Sequence, residues 1–332
     1  MAKQATIYDV AALAGVAPST VSRTFSRPGR VNAETAARVR EVAAELGYRT
    51  NRIAQALTTA RTGVVALTVS DIGNPYYLEI IRGAEAAASA AGCTMLLSDS
   101  RESARHEQQV LERTLPLVDG LVLAGSRMSD TAIRAAARQR PVVVLNRVVT
   151  DLPSIAPDHA LGARSALEHL AGLGHRRVAY LAGPEASWAD GMRWRSVLET
   201  GQQLGVKVTR LGPYPPTVAG GSRAAQELPA ATGAVVAYND QVAIGLVRGI
   251  QQRGGRVPDD VSVVGFDNIF AADLVLPGLT TVAAPAREMG ARAVETLVSR
   301  EGRTYERAMV LPTRLVVRGS TAPPRRKSTS PA

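Results

Sequence analysis

The stretch TIYDVAALAGVAPSTVSRTF (residues 6–25) predicts two short helices joined by a tight turn. Thr6 followed by Asp9 has the pattern of a capping box, so a helix is expected to begin directly after Thr6. Gly15 ends this helix, and Pro18 suits the first position of a second one, where its missing N–H costs nothing. The apolar residues of the two helices then fall on one side.

The second helix of this pair has the surface that a DNA-reading helix needs. Val21 and Phe25 can pack inward, and the outward-facing residues are Ser19, Thr20, Ser22 and Arg23. A helix with such a small, polar face can enter the major groove, where hydrogen bonds read the base edges. The alternative is an ordinary helical hairpin with a solvated face. A third helix is predicted between the N-cap Asn32 and Gly47.

Composition restricts the classes of protein to which the chain can belong. The 332 residues are 45% hydrophobic, which is typical of globular chains long enough for two or three compact units. No apolar run is long enough to span a membrane and the N-terminus has no apolar signal segment, so a cytoplasmic location is expected. The single cysteine, Cys93, excludes an internal disulfide framework.

Basic charge is concentrated near the N-terminus. The net charge is +10, and residues 1–61 alone carry nine basic and four acidic side chains. That placement favours a nucleic-acid partner for this end of the chain. The segment NRIAQALTTAR (residues 51–61) is too short and too polar to form a stable helix alone, so it is interpreted as a hinge, with a plain tether as the alternative.

From Gly63 onward, apolar strands alternate with helices in two blocks that separate near residues 150–158. This pattern predicts an α/β fold with two doubly wound lobes and a ligand in the cleft between them. The run MVLPTRLVV is expected to form one closing strand. The predicted domains are a headpiece (1–50), a hinge (51–62), a core (63–320) and a disordered basic tail (321–332), with a first lobe of about 63–156 and 285–312 and a second lobe of about 157–284 and 313–320.

Several motifs together resemble the lactose-repressor/galactose-repressor family of bacterial transcription regulators. They are TIYDVAALAGVAPSTVSR, GYRTNRIAQAL, GLGHRRVAYLAGP, and VPDDVSVVGFDN followed by LTTV. The resemblance implies an N-terminal three-helix helix-turn-helix headpiece, a hinge helix and a two-lobed core similar to periplasmic binding proteins. It also implies a homodimeric repressor that binds palindromic operator DNA, with a small sugar-like effector and no cofactor or metal.

The resemblance also assigns roles to individual residues. It places Pro18 and Ser19 at base-selecting positions, gives Arg23 a guanine contact, and puts the hinge in the minor groove with Leu57 wedged into the central base step. The implied DNA-binding residues are Thr6, Pro18, Ser19, Thr20, Ser22, Arg23, Asn32, Asn51, Ala54 and Leu57.

The implied effector-binding residues lie at strand ends: Asn74, Tyr76, Asp158, Trp188, Asp190, Asn239 and Asp267. Carboxylates and amides can bond to vicinal hydroxyls, and aromatic faces can cover a sugar ring. For each aspartate the alternative is a helix N-cap. Members of the family commonly carry an arginine in the helix after LAGP, and the alignment places Gly191 at that position, with Arg193 or Arg195 as substitutes from another turn.

Two other classes of function are weighed against a regulator. A sugar-processing enzyme finds little support, since no glycine-rich phosphate loop is present and the four histidines lack metal-ligand spacing. A sugar-binding transport protein would need a signal peptide and would lack residues 1–60. The sequence leaves open the identity of the effector and of the operator, inducer against corepressor, repressor against activator, dimer against tetramer, and control by a partner phosphoprotein.

Overall fold

The computed structural model describes residues 5–26, 29–48, 61–299 and 308–325. The predicted hinge contacts Asn51, Ala54 and Leu57 lie outside these ranges. The chain divides into two compact units, with the boundary between Gly63 and Val64. None of the helices in the described residues has the length and hydropathy that a membrane span requires.

The N-terminal unit contains the three predicted helices, α1 (Ile7–Ala14), α2 (Pro18–Ser26) and α3 (Ala33–Glu45). The capping box is present, since the Thr6 side chain accepts from the Asp9 N–H and the Asp9 side chain accepts from the Thr6 N–H. Gly15 follows α1 with φ 62°, a left-handed conformation that suits glycine. The small core consists of Val10, Ala11, Ala14, Val21, Val39 and Ala43.

The larger unit begins with five strands and their connecting helices. They are β1 (Val64–Val69), α4 (Pro75–Ala90), β2 (Thr94–Asp99), α5 (Ala104–Thr114), β3 (Gly120–Ala124), α6 (Asp130–Ala137), β4 (Val142–Leu145) and β5 (Ser154–Pro157). Strand β5 was not predicted from the sequence. It has only four residues and ends in proline, so it carries too short a pattern to be recognised.

The rest of the unit repeats this alternation and then returns. The elements are α7 (His159–Gly172), β6 (Arg177–Leu181), α8 (Trp188–Leu204), β7 (Lys207–Leu211), α9 (Val218–Glu227), β8 (Ala234–Ala237), α10 (Asp240–Gln252), β9 (Ser262–Asp267), α11 (Ala271–Leu274), β10 (Thr280–Ala283), α12 (Ala286–Val298), β11 (Met309–Leu311) and β12 (Arg314–Val316). Strand β10 and the short helix α11 were also missed.

The strands form two six-stranded sheets, ordered β11-β5-β4-β3-β1-β2 and β12-β10-β9-β8-β6-β7. We call the parts of the chain built on them the first lobe and the second lobe. Strand β12 runs antiparallel to β10, and the other pairs are parallel. The predicted α/β fold with two doubly wound lobes is therefore confirmed. The strand order reverses beside β1 in the first sheet and beside β6 in the second. Open sheets of this kind bind ligands at such a reversal, in the crevice outside the carboxyl ends of the strands.

The prediction of one closing strand over MVLPTRLVV is wrong. The run is split into β11, which pairs with β5 in the first lobe, and β12, which pairs with β10 in the second. Pro312 lies between them, and a proline cannot donate a ladder hydrogen bond. The run is thus one of three crossings between the lobes, with residues 157–159 and 283–286 forming the other two.

The predicted disordered tail begins too early. Thr321 and Ala322 are hydrogen-bonded to the second lobe, through the Thr321 hydroxyl to His169 Nε2 (2.9 Å) and the Ala322 N–H to the Ser262 hydroxyl (3.0 Å). The Ala322 carbonyl also accepts from the Ser262 hydroxyl, at 3.0 Å. These contacts satisfy backbone groups that composition alone suggested would be solvated.

Candidate functional site

Helix α2 buries one side and leaves a polar surface on the other. Val21 is fully buried, and the Phe25 ring packs against Tyr48 with centroids 6.0 Å apart. Ser19, Ser22 and Arg23 are exposed, while Pro18 and Thr20 are half-buried. The exposed residues are those that the sequence predicts to face DNA.

Several predicted DNA contacts are already engaged within the headpiece. Arg23 donates from Nε to the Ser19 carbonyl and from Nη2 to the Ser19 hydroxyl, both at 3.1 Å. The Thr6 hydroxyl donates to Asp9 (2.7 Å), and Asn32 Oδ1 accepts from the Glu34 N–H (2.8 Å) as the N-cap of α3. Thr6 and Asn32 therefore fix helix starts, and a base edge would compete with Ser19 for the Arg23 guanidinium.

The second lobe carries a buried polar network at the carboxyl ends of its strands. Asp267 ends β9, and its carboxylate accepts a hydrogen bond from Arg193 Nη2 at 3.3 Å. Arg193 also donates from Nε to Nδ1 of His159 at 3.2 Å and from Nη1 to the Tyr238 carbonyl. The side chains of the ion pair are only 3% and 5% exposed. One guanidinium thus joins four elements of the second lobe, α8, α7 and the ends of β8 and β9.

Aromatic rings surround this network. The Arg193 guanidinium carbon lies 3.6 Å from the centroid of Phe266 and 5.2 Å from that of Tyr238. A desolvated guanidinium over an aromatic face gains a cation–π attraction that adds to the ion pair. Trp188, the first residue of α8, stands edge-on to His159 with centroids 5.9 Å apart. The network therefore has both polar groups and ring faces around it.

Burial sets the protonation of the network. It raises the pKa of Asp267 to about 7, against the opposing effect of Arg193. Burial and the neighbouring Arg193 charge hold the pKa of His159 well below its ordinary value. A neutral His159 that accepts at Nδ1 carries its proton on Nε2, and Nε2 has no hydrogen-bond partner among the described residues. The network thus contains a buried donor that a ligand could satisfy.

The first lobe faces Asp267 through the start of α4. Asn74 caps this helix by accepting from the Tyr76 N–H at 3.1 Å. Tyr76 is buried, and burial together with the nearby Asp267 carboxylate raises the pKa of its phenol well above 10. A cavity of about 530 Å³ lies between the lobes, lined by Tyr76, Arg82, Asp267, Asn268, Phe270 and Arg287 among others. Tyr76 and Asp267 are the two predicted effector residues that it brings together.

Three other predicted effector residues bond within their own lobe. Asp158 caps α7 by accepting from the Leu161 N–H at 2.8 Å. Asn239 caps α10 through the Val242 N–H (2.9 Å). Asp190 is buried in the second lobe, where it pairs with Arg210 (2.6 Å). Asp190 also accepts from the Tyr180 hydroxyl and the Gly183 N–H, each at 2.8 Å. These contacts favour structural roles for Asp158 and Asp190 over effector contact.

The structure changes the interpretation of Gly191. This glycine is exposed, and a Cβ built there would meet no atom within 4 Å. Arg195 is exposed as well, whereas Arg193 is buried in the network. Because successive helical residues are rotated by about 100°, the three positions face different directions, and Arg193 is the one turned to the cleft. This helix therefore does present a buried arginine to the cleft, at position 193.

Sequence reasoning missed His159, Phe266 and Tyr238 as members of the network. Each stands next to a residue that was singled out, since Phe266 precedes Asp267, Tyr238 precedes Asn239, and His159 follows Asp158. All three lie where a strand ends and the chain turns into the next element. Their position at these ends was the available signal, since parallel strands bring such residues to one edge.

Comparisons with known proteins agree with this geometry. The family described as bacterial regulatory proteins, lacI family, matches residues 6–51, and the periplasmic binding protein-like domain matches residues 167–321. The HTH-type transcriptional regulator DegA of Bacillus subtilis (strain 168) is 33% identical, over 96% of this chain and 98% of DegA.

Two solved structures are also similar over nearly the whole chain. A Lac repressor dimer bound to operator and the anti-inducer ONPF has a TM-score of 0.85 and 28% identity, covering 96% of this chain and 100% of that one. A complex of the transcriptional regulator CelR with cellobiose has a TM-score of 0.71 and 31% identity, covering 95% and 99%. The helix-turn-helix unit, the two lobes and the relatives lead to one conclusion: this chain belongs to the lacI family of DNA-binding transcription regulators, which are not enzymes.

Proposed function

We propose that this regulator is a repressor whose affinity for operator DNA is switched by a small neutral sugar or sugar derivative bound between the two lobes. The observation that carries the proposal is the buried network of Arg193, Asp267 and His159 beside a cavity between the lobes. The network offers a carboxylate, guanidinium N–H groups and an imidazole Nε2–H, with ring faces of Phe266 and Trp188 nearby.

This set of groups suits a polyhydroxyl ligand. A carboxylate accepts hydrogen bonds from neighbouring hydroxyls, while the guanidinium and imidazole donate to ring or hydroxyl oxygens. Once Asp267 is ionised it neutralises Arg193, and the network as a whole then favours a neutral ligand over a sugar acid. The similar CelR structure contains cellobiose, and the similar Lac repressor structure contains an anti-inducer, which supports a sugar-like effector for this chain.

The effector is tested by a thermal-shift screen of pentoses, hexoses, disaccharides, sugar acids, polyols and nucleosides. A ligand at many times its Kd adds a few kcal/mol to stability, about 2.7 kcal/mol at a hundredfold excess. Positive compounds are then added to operator-bound protein, and release is followed by fluorescence anisotropy. A compound that binds but neither releases nor tightens operator would contradict the proposed switch.

On DNA we propose a homodimer that reads a palindromic operator with α2 in the major groove. Arg23→Ala should lose about 1–3 kcal/mol of specific binding and keep salt-dependent nonspecific binding. Arg40→Ala is the matched control, since it removes an equal charge from an exposed position on α3. A footprint without dyad symmetry, or equal specificity losses in the two variants, would contradict this assignment.

For the hinge we propose that Asn51, Ala54 and Leu57 enter the minor groove and that the two Leu57 side chains wedge into a central CG step. Leu57→Ala should leave the headpiece folded but reduce operator bending, affinity and the response to effector. Circular-permutation gel shifts measure the bend. Equal bend angles in mutant and wild type would show that Leu57 is not the wedge.

We further propose that the protein acts in the cytoplasm, where its operator is, and that it assembles as a dimer rather than a tetramer. The similar Lac repressor structure is a dimer bound to operator, which supports a dimeric assembly for this chain. Sedimentation of a chain ending at Arg325 should still give a dimer, and a monomer would place the interface in the tail. Repression is tested with a reporter behind the operator, whose expression should rise when the gene for this regulator is deleted.

A further inference from the structure

Three sequence motifs that are far apart in the chain come into contact in the second lobe, next to the Asp267 carboxylate. They are YND, GFDN and LTTV, which contain Asp240, Asp267 and Thr281 respectively. Asp240 is completely buried, and its carboxylate accepts from the Ile269 N–H (2.8 Å) and from the Thr281 hydroxyl (2.5 Å). The Thr281 oxygen in turn accepts from the Asn268 N–H at 3.3 Å. We call Asp240 and Thr281, with the two N–H groups that they bind, the loop clamp.

The loop clamp holds a backbone conformation that these residues would not adopt on their own. Asp267 has φ 115° and Asn268 has φ 53°, both in the region that favours glycine. Non-glycine residues persist there only when the surrounding structure imposes it, and such residues cluster at binding sites. The clamp binds the two N–H groups that directly follow Asp267, so it fixes the turn by which Asp267 leaves β9.

The chemistry of Asp240 argues against a role in stability alone. Among the described residues, no arginine, lysine or histidine forms an ion pair with Asp240, and its partners are one N–H and one hydroxyl. Burial and the neighbouring Asp267 raise the pKa of Asp240 well above its ordinary value, and burying such a polar group costs more than apolar packing of the same volume. Gly265 provides the space, because a Cβ at that position would collide with the Asp240 carboxylate.

We propose that Asp240 and Thr281 are positioning residues for the effector, which hold the Asp267 carboxylate in place for ligand hydroxyls. The inference rests on the proposed function, in which Asp267 contacts the effector. With the clamp intact, Asp267 stays against Arg193 and opposite Tyr76 before any ligand arrives. Without it the turn relaxes, and the effector must first restore the position of the carboxylate, which lowers its affinity.

Thr281 allows a matched pair of substitutions, because its side chain is fully buried. Thr281→Val keeps the volume and removes the hydroxyl, whereas Thr281→Ser keeps the hydroxyl and removes a methyl group. If Thr281 acts through the clamp, the valine variant should need about ten-fold more sugar for operator release, and the serine variant should respond like wild type. If Thr281 only fills space, the order is reversed, and that result would overturn the proposal.

The experiment titrates operator-bound protein with ribose, glucose and cellobiose and uses whichever sugar releases wild type. Operator affinity without sugar is measured for every variant, so that release curves are compared from the same operator occupancy. In an Asp267→Ala background, Thr281→Val should have no further effect on release, because the carboxylate that it positions is gone. An additive loss in the double variant would show that Thr281 acts independently of Asp267 and would overturn the proposal.

Crystal structures of the two variants give a result that needs no ligand. The serine variant should keep the Asp267–Arg193 ion pair and a positive φ at residue 267, and the valine variant should lose both. An unchanged turn in the valine variant would overturn the clamp. If no sugar releases wild-type protein, the proposed effector class fails, while these structures still decide whether Thr281 positions Asp267.

Discussion

The cleft has a first wall, formed by the first lobe, and a second wall, formed by the second lobe. The two walls differ in how far the hydrogen bonds of their buried polar groups are satisfied. On the second-lobe wall, Arg193, Asp267 and Asp240 bond to one another or to nearby backbone, and His159 Nε2 is buried without a partner among the described residues. On the first-lobe side, the hydroxyls of Thr68 and Ser100 and the Oδ1 of Asn146, all in or just after strands, are buried without a partner among the described residues. The cavity lining there combines the ring of Tyr76 with charged side chains such as Arg82 and Arg287.

This difference indicates that the two walls contribute differently to ligand binding. A network whose carboxylate and guanidinium are already bonded before the ligand arrives can fix the position of hydrogen-bonding groups, which saves the cost of ordering them on binding. The ring of Tyr76 on the first-lobe side contributes shape and apolar area instead. Under the proposed function, the second lobe would therefore supply most of the polar contacts to the effector. Substitutions in the second wall should change stability and effector response more than substitutions in the first wall.

The largest effect is expected from Arg193→Met. It leaves the Asp267 carboxylate buried without its cation, which should lower the free energy of unfolding by about 3–5 kcal/mol. Effector release of operator should be lost as well. The control is Arg195→Met on the exposed side of the same helix, which should change stability by less than about 0.5 kcal/mol. Equal denaturant midpoints for the two variants would show that the stability of the protein does not depend on the Arg193–Asp267 ion pair.

The next largest effect is on pH dependence. The folded-state pKa of Asp267, about 7, lies above the ordinary value of 3.8, so the folded protein retains a proton that the unfolded chain releases between these values. Its contribution to stability is present below about pH 4 and is lost as pH rises to about 7, at roughly 1.4 kcal/mol per pH unit at most.

Asp267→Asn should remove this slope from a series of denaturation curves recorded between pH 4 and pH 8. Sugar hydroxyls bond best to the ionised carboxylate, so the sugar concentration that releases operator should fall as pH rises through 7 in wild type only. Parallel stability curves for the two proteins would indicate that Asp267 does not titrate in this range.

Substitutions of Tyr76, on the first wall, should have a smaller effect on stability and effector response. The Tyr76 hydroxyl has one weak contact, to the Met289 sulfur at 4.0 Å, while its ring lines the cavity. Tyr76→Phe should therefore change stability and effector response by less than about 1 kcal/mol. Tyr76→Ala should weaken the response more, because it removes the ring surface. Isothermal titration with the active sugar separates the two, and a phenylalanine variant as impaired as the alanine variant would assign binding to the hydroxyl.

The smallest effect is expected from Gly191→Ala. The new Cβ faces open space within α8, so the helix should gain about 0.5–1 kcal/mol of stability from the better propensity of alanine. The response to effector should not change, since Gly191 is exposed. A shifted release curve would show that position 191 affects effector binding and would contradict the assignment of Arg193 as the residue that faces the cleft.

Much of this architecture could be predicted from local patterns. The capping box at Thr6, the start of α2 at Pro18 and the bounds of α8 all follow from signals within a few residues. Strands β5 and β10 could not be found in this way, because four residues carry too little periodicity and their pairing is set by distant strands.

The candidate site was harder to predict than the fold. Asp267 could be placed at a strand end from the apolar run before it, but its partner Arg193 depends on the rotation of α8 against the second sheet. Gly191, the position singled out from the sequence, lies two residues before Arg193, and two residues turn a helical side chain to nearly the opposite face. The contact of Asp240 with Thr281 joins residues 41 apart in sequence, and nothing local indicates it.

The central claim, that the second-lobe wall receives the effector through Asp267, is tested most directly by one titration. Operator-bound wild type, Asp267→Ala and the control Asp273→Ala, which removes an exposed carboxylate from the same lobe, are titrated with the active sugar by fluorescence anisotropy. All three should bind operator equally without sugar, and Asp267→Ala alone should need about ten-fold more sugar or above for release. Overlapping release curves for the three proteins would contradict the claim.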